Sequence, residues 1–508
     1  MSASLTYPGV YIEELPSGVH SITGVATSIG AFVGWAPQGS ITAATMVESF
    51  AEYSMLFGGL DSRSVLGYAV NHFFINGGRQ CYVIRLVDAT DATTATGSAD
   101  TLTLFANNPG NWGNNLRITL TPNGTRFSIL VEMLLPSGNF QTLESFVNLS
   151  TTSTDPQYCV TVIDNDSNYI SFIDQAGTLH APSASPTITV TRAALTTGFD
   201  GTVLVPNDGN FETALLPPSN VGGVNLLNSV DIFNLLCVPG ENTASAVTGL
   251  QTYCFNSRAF LIVDAPQVAS HANLQSFDAP AGMPFPTTVI GADAASSAYY
   301  FPWVLAPDPL FGNRPALFPP CGFIAGMYAA TDASRGVWKA PAGIDASLSG
   351  EQGLQYSLND AQNGDLNPVA INCLRHFKAY GDVIWGARTL AGNDQTGSQW
   401  KYVPIRRLAL YLESSLYDGM QWVVFEPNDE RLWGQIRMNA GAFMQGLFLQ
   451  GAFAGTTPQQ AYFVKCDAEN NPPASVALGV VNTLVGFAPE YPAEFVVIQI
   501  QQISGQGS

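Results

Sequence analysis

The stretch that decides the fold runs from residue 232 to residue 264: IFNLLCVP at 232–239, ASAVTGLQTYCFNS at 244–257 and AFLIVD at 259–264. The first and third segments are short, nearly continuous apolar runs, which are typical of buried strands. The middle segment has the length of a helix. A strand–helix–strand unit returns its second strand parallel to the first, so the stretch predicts a parallel sheet with helices on its faces.

Further pieces predicted to continue this sheet are FPWVLA at 301–306 and DVIWGAR at 382–388. We therefore assign residues 201–394 to one α/β domain. Asp264 ends a predicted strand at the carboxyl edge of the sheet, where α/β enzymes place catalytic groups. Asp293 and Asp332 could join it, but the sequence offers no nucleophile or base as a partner, which favours a hydrogen-bonded structural carboxylate.

Residues 91–200 have a different character, because they are rich in Thr, Ser, Asn and Gly and contain no lysine. Short alternating runs, LRITL at 116–120, FSILVE at 127–132 and TITVT at 187–191, are separated by turn signals. This pattern predicts an inserted β-rich domain. Asp164 and Asp166 resemble part of a calcium loop but lack its glycine and distal Glu, so a solvated turn is the preferred interpretation.

Residues 1–90 predict a short strand at 8–16, a buried strand at 28–35, a helix at 65–76 and a second buried strand at 81–86. We assign this segment to an N-terminal arm and part of a core domain.

Residues 395–508 predict two amphipathic helices and a strand at 495–502, and we assign them to a C-terminal core domain with a terminal arm. The second helix begins at Asn428-Asp-Glu, which supplies a cap and an N-terminal acid. The apolar positions of the two helices are Ile405, Leu408, Leu412 and Leu416 in the first, and Leu432, Ile436, Ala440, Phe443 and Leu447 in the second.

The composition limits the function classes. Only 11% of the 508 residues are charged, well below the roughly 25% of soluble domains. So few charges indicate a surface partly covered by partner subunits, although a secreted β-protein with a polar, uncharged surface has the same composition. The net charge of −20 and the absence of a clustered basic face argue against nucleic-acid binding.

The seven cysteines have wide spacings and form no CxxC pair, which predicts buried, reduced thiols in a protein folded in the cytoplasm. The first residues have neither a basic nor an apolar signal-peptide region, and no apolar run is long enough to span a bilayer. No motif for a hydrolase, metalloprotease or nucleotide-binding enzyme is present, and the five histidines are scattered. We therefore expect no enzyme activity, cofactor, metal site or membrane insertion.

The two chain ends are the most informative feature, because each carries a short strand set apart by Pro or Gly. Either strand could dock into its own domain, or it could add to a sheet of a neighbouring subunit. The residues predicted to form these inter-subunit arms are Val10, Tyr11, Ile12, Glu13, Phe495, Val497, Ile498 and Ile500.

Motifs along nearly the whole chain resemble the contractile tail sheath proteins of phage tails and phage-tail-like injection machines. Each motif is weakly specific by itself, but they follow the family's order. They are YPGVYIEE (7–14), VATSIGAFVGWAPQG (25–39), FFINGGRQCYVIR (73–85), PGNWGNNL (109–116), GVWKAPAG (336–343), WGARTL (385–390), NDERLW (428–433) and PAEFVVI (492–498).

The resemblance implies an α/β and α+β multidomain fold: a core domain from both chain ends, a non-catalytic subtilisin-like middle domain, an inserted β-rich domain and extended terminal arms. It implies a structural subunit that polymerises helically around an inner tube, with its arms at 8–14 and 494–502 in neighbouring subunits. Baseplate and terminal cap proteins are the other implied partners. Assembly is expected in the bacterial cytoplasm, within a phage tail or a released or anchored particle.

The inner surface of such a sheath is expected from the 428–447 helix, with Arg431 and Arg437 facing an acidic tube, although an exposed, non-contacting pair is equally consistent with the sequence. Two other function classes stay open at this point: an α/β hydrolase with a site near Asp264, and a surface adhesin that binds carbohydrate through residues 91–200.

Overall fold

The computed structural model describes residues 20–135, 137–182, 190–276, 293–395 and 397–497. The chain divides into two compact units. The main unit comprises residues 26–335 and 339–406, and the C-terminal unit comprises residues 1–25, 336–338 and 407–508.

The strands are numbered in chain order. They are β1 Gly30–Trp35, β2 Thr45–Val47, β3 Cys81–Leu86, β4 Thr96–Ala99, β5 Leu102–Ala106, β6 Leu116–Asn123, β7 Arg126–Leu134, β8 Phe140–Leu149, β9 Ile170–Ser171, β10 Thr191–Ala194, β11 Leu235–Cys237, β12 Phe260–Asp264, β13 Ser297–Phe301, β14 Val304–Asp308, β15 Arg314–Phe318, β16 Gly353–Leu354, β17 Ile371–Phe377, β18 Gly381–Ile384, β19 Tyr462–Lys465 and β20 Leu484–Phe487.

The helices are numbered in the same way. They are α1 Phe50–Phe57, α2 Leu66–Ile75, α3 Cys159–Asp166, α4 Gly209–Leu215, α5 Ala244–Asn256, α6 His271–Ser276, α7 Cys321–Arg335, α8 Asp360–Leu366, α9 Val403–Gly419, α10 Glu430–Leu449, α11 Pro458–Ala461 and α12 Pro473–Ala477.

The predicted strand–helix–strand unit is confirmed as β11, α5 and β12. The two strands pair in parallel, with Leu235 opposite Phe260. The Thr243 side chain accepts a hydrogen bond from the backbone N–H of Ala246 and so caps α5 at its start. Apolar residues of α5, including Val247 and Leu250, lie in the same buried cluster as Leu236 and Leu261 of these strands.

These strands belong to an eight-stranded sheet with the order β18-β17-β13-β12-β11-β1-β3-β2. The six inner strands are parallel, and the edge strands β2 and β18 are antiparallel to their neighbours. The fold class is therefore mixed α/β with several sheets, as predicted.

Two predictions about this sheet need correction. Residues 301–306 do not all continue it: β13 ends at Phe301, and β14 lies in a separate antiparallel sheet with β15 and β16. Pro302, directly after β13, has no backbone N–H to extend the ladder.

The assignment of residues 1–90 to the core also differs from the structure, because β1 and β3 pair inside the eight-stranded sheet. Only residues 1–25 of that segment group with the C-terminal unit. A fully buried strand is apolar on both faces, so its sequence does not say which sheet receives it.

The segment 91–200 contains two antiparallel sheets, β10-β6-β7-β8 and β4-β5-β9. They enclose a buried apolar cluster that includes Leu104, Ile118, Ile129 and Phe172. Most of the predicted run at 187–191 lies outside the described residues, and β10 begins at Thr191. The segment falls within the main unit, and its boundaries at 91 and 200 stay predictions.

All seven cysteines are buried and free, as the sequence predicted. Within the described ranges, none of the helices combines the length and apolarity needed to cross a bilayer.

Candidate assembly interface

The C-terminal unit is built on α10, whose start and buried stripe agree with the sequence prediction. The Asp429 side chain accepts a hydrogen bond from the Leu432 N–H at 3.0 Å and caps the helix. Phe443 and Leu447 of the stripe pack in one cluster with Leu408 and Leu412 of α9. The two helices therefore supply a rigid base for the rest of the unit.

A two-stranded antiparallel sheet, β19 with β20, packs on this base and was not predicted. Its register pairs Tyr462 with Phe487 and Lys465 with Leu484. One face packs on the α9–α10 cluster through Tyr462, Val464, Val485 and Phe487. The alternation of apolar residues in YFVK (462–465) and LVGF (484–487) was the available signal, but runs of four residues are too short to stand out.

Both long edges of this small sheet are open in the described part of the chain, since each strand has the other as its sole neighbour. A two-stranded sheet is marginally stable in water, and an open edge presents unpaired N–H and C=O groups to any strand that approaches. The geometry therefore offers two edges to which a further strand could add.

The chain leaves β20 toward its C-terminal end, where the predicted arm begins. The Ala488 N–H donates to the Ala461 carbonyl at 2.8 Å, and an isolated bridge joins Phe453 to Pro489. Beyond this point, Phe495 and Val497 have relative exposures of 75% and 81%, and neither lies in a strand. A strand over 495–497 is thus absent from the isolated chain, and Ile498 and Ile500 lie outside the described residues.

The N-terminal arm residues Val10, Tyr11, Ile12 and Glu13 also lie outside the described residues. The described chain begins at His20, whose ring stacks on Trp422 with a centroid distance of 4.4 Å. The Val25 N–H donates to the Ser415 hydroxyl at 3.2 Å, and Ile22 packs with the α9–α10 cluster. Residues 20–25 are thereby fixed within the C-terminal unit.

The structure separates the two arginines that were predicted to face a tube. Arg437 is engaged within the unit: its guanidinium donates to the Cys466 carbonyl, and it forms an ion pair with Glu430 at 2.8 Å. Arg431 is exposed and has no hydrogen-bond or ion-pair partner among the described residues. Arg437 therefore supports the fold, and Arg431 is the side chain available to a partner.

Asp264, the residue on which a hydrolase interpretation depends, is a buried structural carboxylate, as the sequence favoured. It accepts hydrogen bonds from the backbone N–H groups of Gly240 at 3.0 Å and Cys321 at 2.7 Å. Burial raises the pKa of this carboxyl to about 6, against the opposing effect of the two hydrogen bonds. Asp264 thus joins the turn after β11 to the start of α7.

The prediction that Asp164 lies in a solvated turn was wrong, because Asp164 lies in the last turn of α3. It accepts hydrogen bonds from the Ser171 hydroxyl at 2.9 Å and the Phe172 N–H at 2.8 Å. The described residues contain no group of His, Cys, Asp and Glu side chains arranged to hold a metal ion.

Residues 395–503 match the family described as "Phage tail sheath C-terminal domain". A curated relative, the tail sheath protein of Vibrio phage KVP40, is 28% identical over 163 residues. That alignment covers 32% of this chain and 23% of the relative, under a quarter of its length.

The whole chain also has the fold of solved sheath proteins. It is similar to a chain of the anti-feeding prophage baseplate (22% identical, TM-score 0.58, covering 99% of this chain and 100% of that one). A chain of the contracted PVC sheath complex of an extracellular contractile injection system is 22% identical, with a TM-score of 0.60 and 99% of both chains covered. The sheath tail protein from Listeria innocua is 12% identical, with a TM-score of 0.60 and 92% of this chain and 97% of that one covered.

Proposed function

We propose that this chain, a member of the contractile tail sheath family, is a structural sheath subunit that polymerises helically around an inner tube and contracts to drive the tube through a target envelope. The observation that carries the proposal is the two-stranded sheet of the C-terminal unit. Its two edges are open in the described part of the chain, and residues 20–25 and the described residues after β20 belong to the same unit.

In this proposal, the arm at residues 8–14 and the arm at 494–502 of neighbouring subunits add as strands to the open edges of β19 and β20. Each added backbone hydrogen bond contributes about 1 kcal/mol net, so an arm of several residues holds subunits together through the sum of its bonds and its apolar side chains. Exposed Phe495 and Val497 are the described part of such an arm.

Head-to-tail pairing of this kind does not close on itself, because each subunit gives arms to one neighbour and receives arms from another. Such an interface generates a helix of subunits. Contraction is then a rotation of each subunit between two packings, with the arms keeping the lattice connected. An extra few hundred Å² buried per subunit in the contracted packing would supply several kcal/mol each, at about 25 cal/mol per Å².

We assign the finer domain roles as follows. The eight-stranded sheet and its helices form a non-catalytic subtilisin-like domain over residues 201–394 together with β1–β3, and residues 91–200 form an insert. The first 25 residues and residues 395–508 form the core domain. Arg431 on the first turn of α10 faces the tube, and baseplate and cap proteins bind the two ends of the sheath. Assembly takes place in the bacterial cytoplasm, within a phage tail or a phage-tail-like particle.

The test is removal of either arm from the full chain, by deleting residues 1–14 or residues 494–508. Both truncated proteins are expected to remain folded monomers by analytical ultracentrifugation and to form no cylinders in negative-stain electron microscopy. Deletion of residues 503–508 alone is the matched control and should leave polymerisation intact. Cylinders of normal length from either arm-deleted chain would contradict the proposal.

A further inference from the structure

The connection between α9 and α10 presents a phenylalanine in a conformation that phenylalanine disfavours. Phe425 has a backbone φ of 71°, in the left-handed region that suits glycine or asparagine. Its relative exposure is 103%, so no contact with another described residue compensates for the conformation. Strained residues of this kind mark sites where a structure serves something other than its own stability.

The turn that carries Phe425 is fixed in place. The Glu426 N–H donates to the Val423 carbonyl at 3.1 Å, and the Val424 N–H donates to the Gln421 carbonyl at 3.3 Å. Trp422 stacks on His20, and Val423 packs with the cluster around Leu432. Val424 and Phe425, which we call the apolar tip, therefore project from a turn held on its other side by aromatic and apolar contacts.

The apolar tip is part of a larger exposed apolar surface. Asn428, three residues after Phe425, donates its side-chain amide to the Val480 carbonyl at 3.0 Å. Val480 and Leu478 are both exposed, and the chain continues from them to exposed Leu484 on β20. The Asn428 contact therefore places exposed Val480 beside the connection that carries the tip, four residues before the small sheet that is proposed to receive the arms.

We propose that the apolar tip is an anchor that inserts into a second copy of this chain in the sheath. The inference rests on the proposed function, in which residues 8–14 pair with a neighbouring subunit. The chain between residue 14 and His20 spans at most about 20 Å, at roughly 3.4 Å per residue. Because His20 stacks on Trp422, the neighbour that receives the arm lies within that distance of the base of the tip.

An anchor of this type has the properties of an interface hot spot. A large aromatic side chain on a fixed turn loses little conformational freedom on binding, and its removal from water is favourable. The free subunit then carries the backbone strain at Phe425, and burial of the side chain in the assembled sheath offsets that strain.

The test compares three full-length variants in self-polymerisation without a tube. Phe425→Asn relieves the backbone strain and removes the apolar anchor; it should raise the concentration for half-maximal polymerisation at least about tenfold. Its thermal midpoint as a monomer should stay the same or rise by about 2 °C.

Phe425→Leu keeps an apolar anchor, so its concentration for half-maximal polymerisation should stay within about threefold of that of the unmodified chain. Leu449→Asn, at an equally apolar site that is 75% exposed in helical conformation, is the matched control and should change neither measurement.

The inference would be overturned if Phe425→Asn reached half-maximal polymerisation at the same concentration as the unmodified chain. A lower thermal midpoint of the variant would also overturn it, because Phe425 would then stabilise its own unit. If Phe425→Asn polymerised normally by itself but failed to coat the inner tube protein, the tip would lie on the tube, and the inference would again be overturned. The proposed function fails separately, if the unmodified chain forms no cylinders or if the arm-deleted chains do.

Discussion

The eight-stranded sheet of the main unit and the two-stranded sheet of the C-terminal unit differ in whether their edge strands are paired on the outer side. The large sheet ends in short antiparallel strands, β2 and β18, and an isolated bridge from Ser347 pairs with Val383 on β18. The small sheet leaves both of its edges open in the described chain. Pairing with β17 and with Ser347 occupies both edges of β18, whereas β19 and β20 each keep one edge without a neighbouring strand, to which a further strand could add.

The apolar surface is distributed in the same way. Both units expose large apolar side chains, for example Val221 and Phe311 in the main unit, but the exposed apolar residues of the smaller C-terminal unit include Phe425, Leu478 and the 495–497 segment. In the proposed assembly, neighbouring subunits would cover the exposed apolar residues of the C-terminal unit. Variants of buried residues should therefore damage the stability of their own unit, whereas variants of these exposed residues should damage assembly.

The largest effect is expected from Asp264→Ala in the main unit. The substitution leaves the N–H groups of Gly240 and Cys321 buried without an acceptor, at a cost of about 1–3 kcal/mol each. We expect the free energy of unfolding to fall by about 3 kcal/mol in urea titrations at pH 7. Asp264→Asn keeps an acceptor for only one of the two N–H groups, because they donate to different carboxylate oxygens, and should therefore lose a part of the same stability. A loss confined to the C-terminal unit would contradict the assignment of Asp264 to the main unit's own stability.

The next effect is a pH dependence at His72, which lies on α2 with its ring stacked on Phe323 at 4.0 Å. Burial lowers the pKa of His72 from 6.5 to about 3, so the folded chain keeps it neutral while the unfolded chain takes up a proton below pH 6.5. Stability from this group is therefore lost as the pH falls from 6.5 toward 3.

We expect His72→Phe to be about 3 kcal/mol more stable than the unmodified chain at pH 4.5, and nearly equal to it at pH 7.5. The buried Nδ1 of His72 has no hydrogen-bond partner among the described residues, so the substitution breaks no hydrogen bond at this atom. Asp264 acts with the opposite sign, because its raised pKa makes stability fall as the pH rises from 3.8 to about 6. Several aspartates with lowered pKa values, such as Asp61 and Asp394, change stability in the other direction, so the measurement is the difference in the free energy of unfolding between His72→Phe and the unmodified chain. A difference that stays constant from pH 7.5 to pH 4.5 would refute the role of His72.

A smaller effect is expected from Arg437→Ala in the C-terminal unit. The side chain joins α10 to the end of β19 through Cys466 and is partly exposed, so its loss should cost about 1 kcal/mol. Faster hydrogen exchange of the β19 and β20 amides in the full chain is the measurement. Arg431→Ala is the matched control, because Arg431 lies on the same helix and has no partner among the described residues, and it should leave exchange unchanged. Equal effects would mean that the Arg437 contacts do not support the sheet.

Much of the fold was predictable because its signals are local. The predicted βαβ unit and the α10 cap and stripe depend on apolar runs and capping residues within some 20 positions, and all of them are confirmed. The partners of β1 and β3 were not predictable, because a buried strand does not encode its neighbour. The turn at Pro302 was overlooked since the apolar run continues past it, although the missing N–H was the signal.

The candidate interface was only partly predictable for a different physical reason. The arms stand out because apolar strands set apart by Pro and Gly are unusual, but β19 and β20 are four residues each and form a sheet through pairing across nearly 20 residues. The strain at Phe425 depends on a backbone angle that no local pattern specifies. The sequence did not distinguish Arg431 from Arg437. In the structure, Arg437 donates to the Cys466 carbonyl and Arg431 does not.

The smallest effect on stability, and the sharpest test of the tube contact, is expected from Arg431→Glu. The side chain is exposed and unpaired among the described residues, so the free energy of unfolding should change by less than about 0.5 kcal/mol. If Arg431 faces an acidic tube, charge reversal replaces attraction by repulsion in every subunit along the sheath, and co-assembly with the inner tube protein should fail. Self-polymerisation into empty cylinders, measured by electron microscopy, should persist because the arms are intact. Because the charge-reversed surface is repeated in each ring, even a weak contact at each subunit adds up to a large effect along the assembled sheath. Normal tube coating by Arg431→Glu would show that Arg431 on α10 is not part of the tube interface.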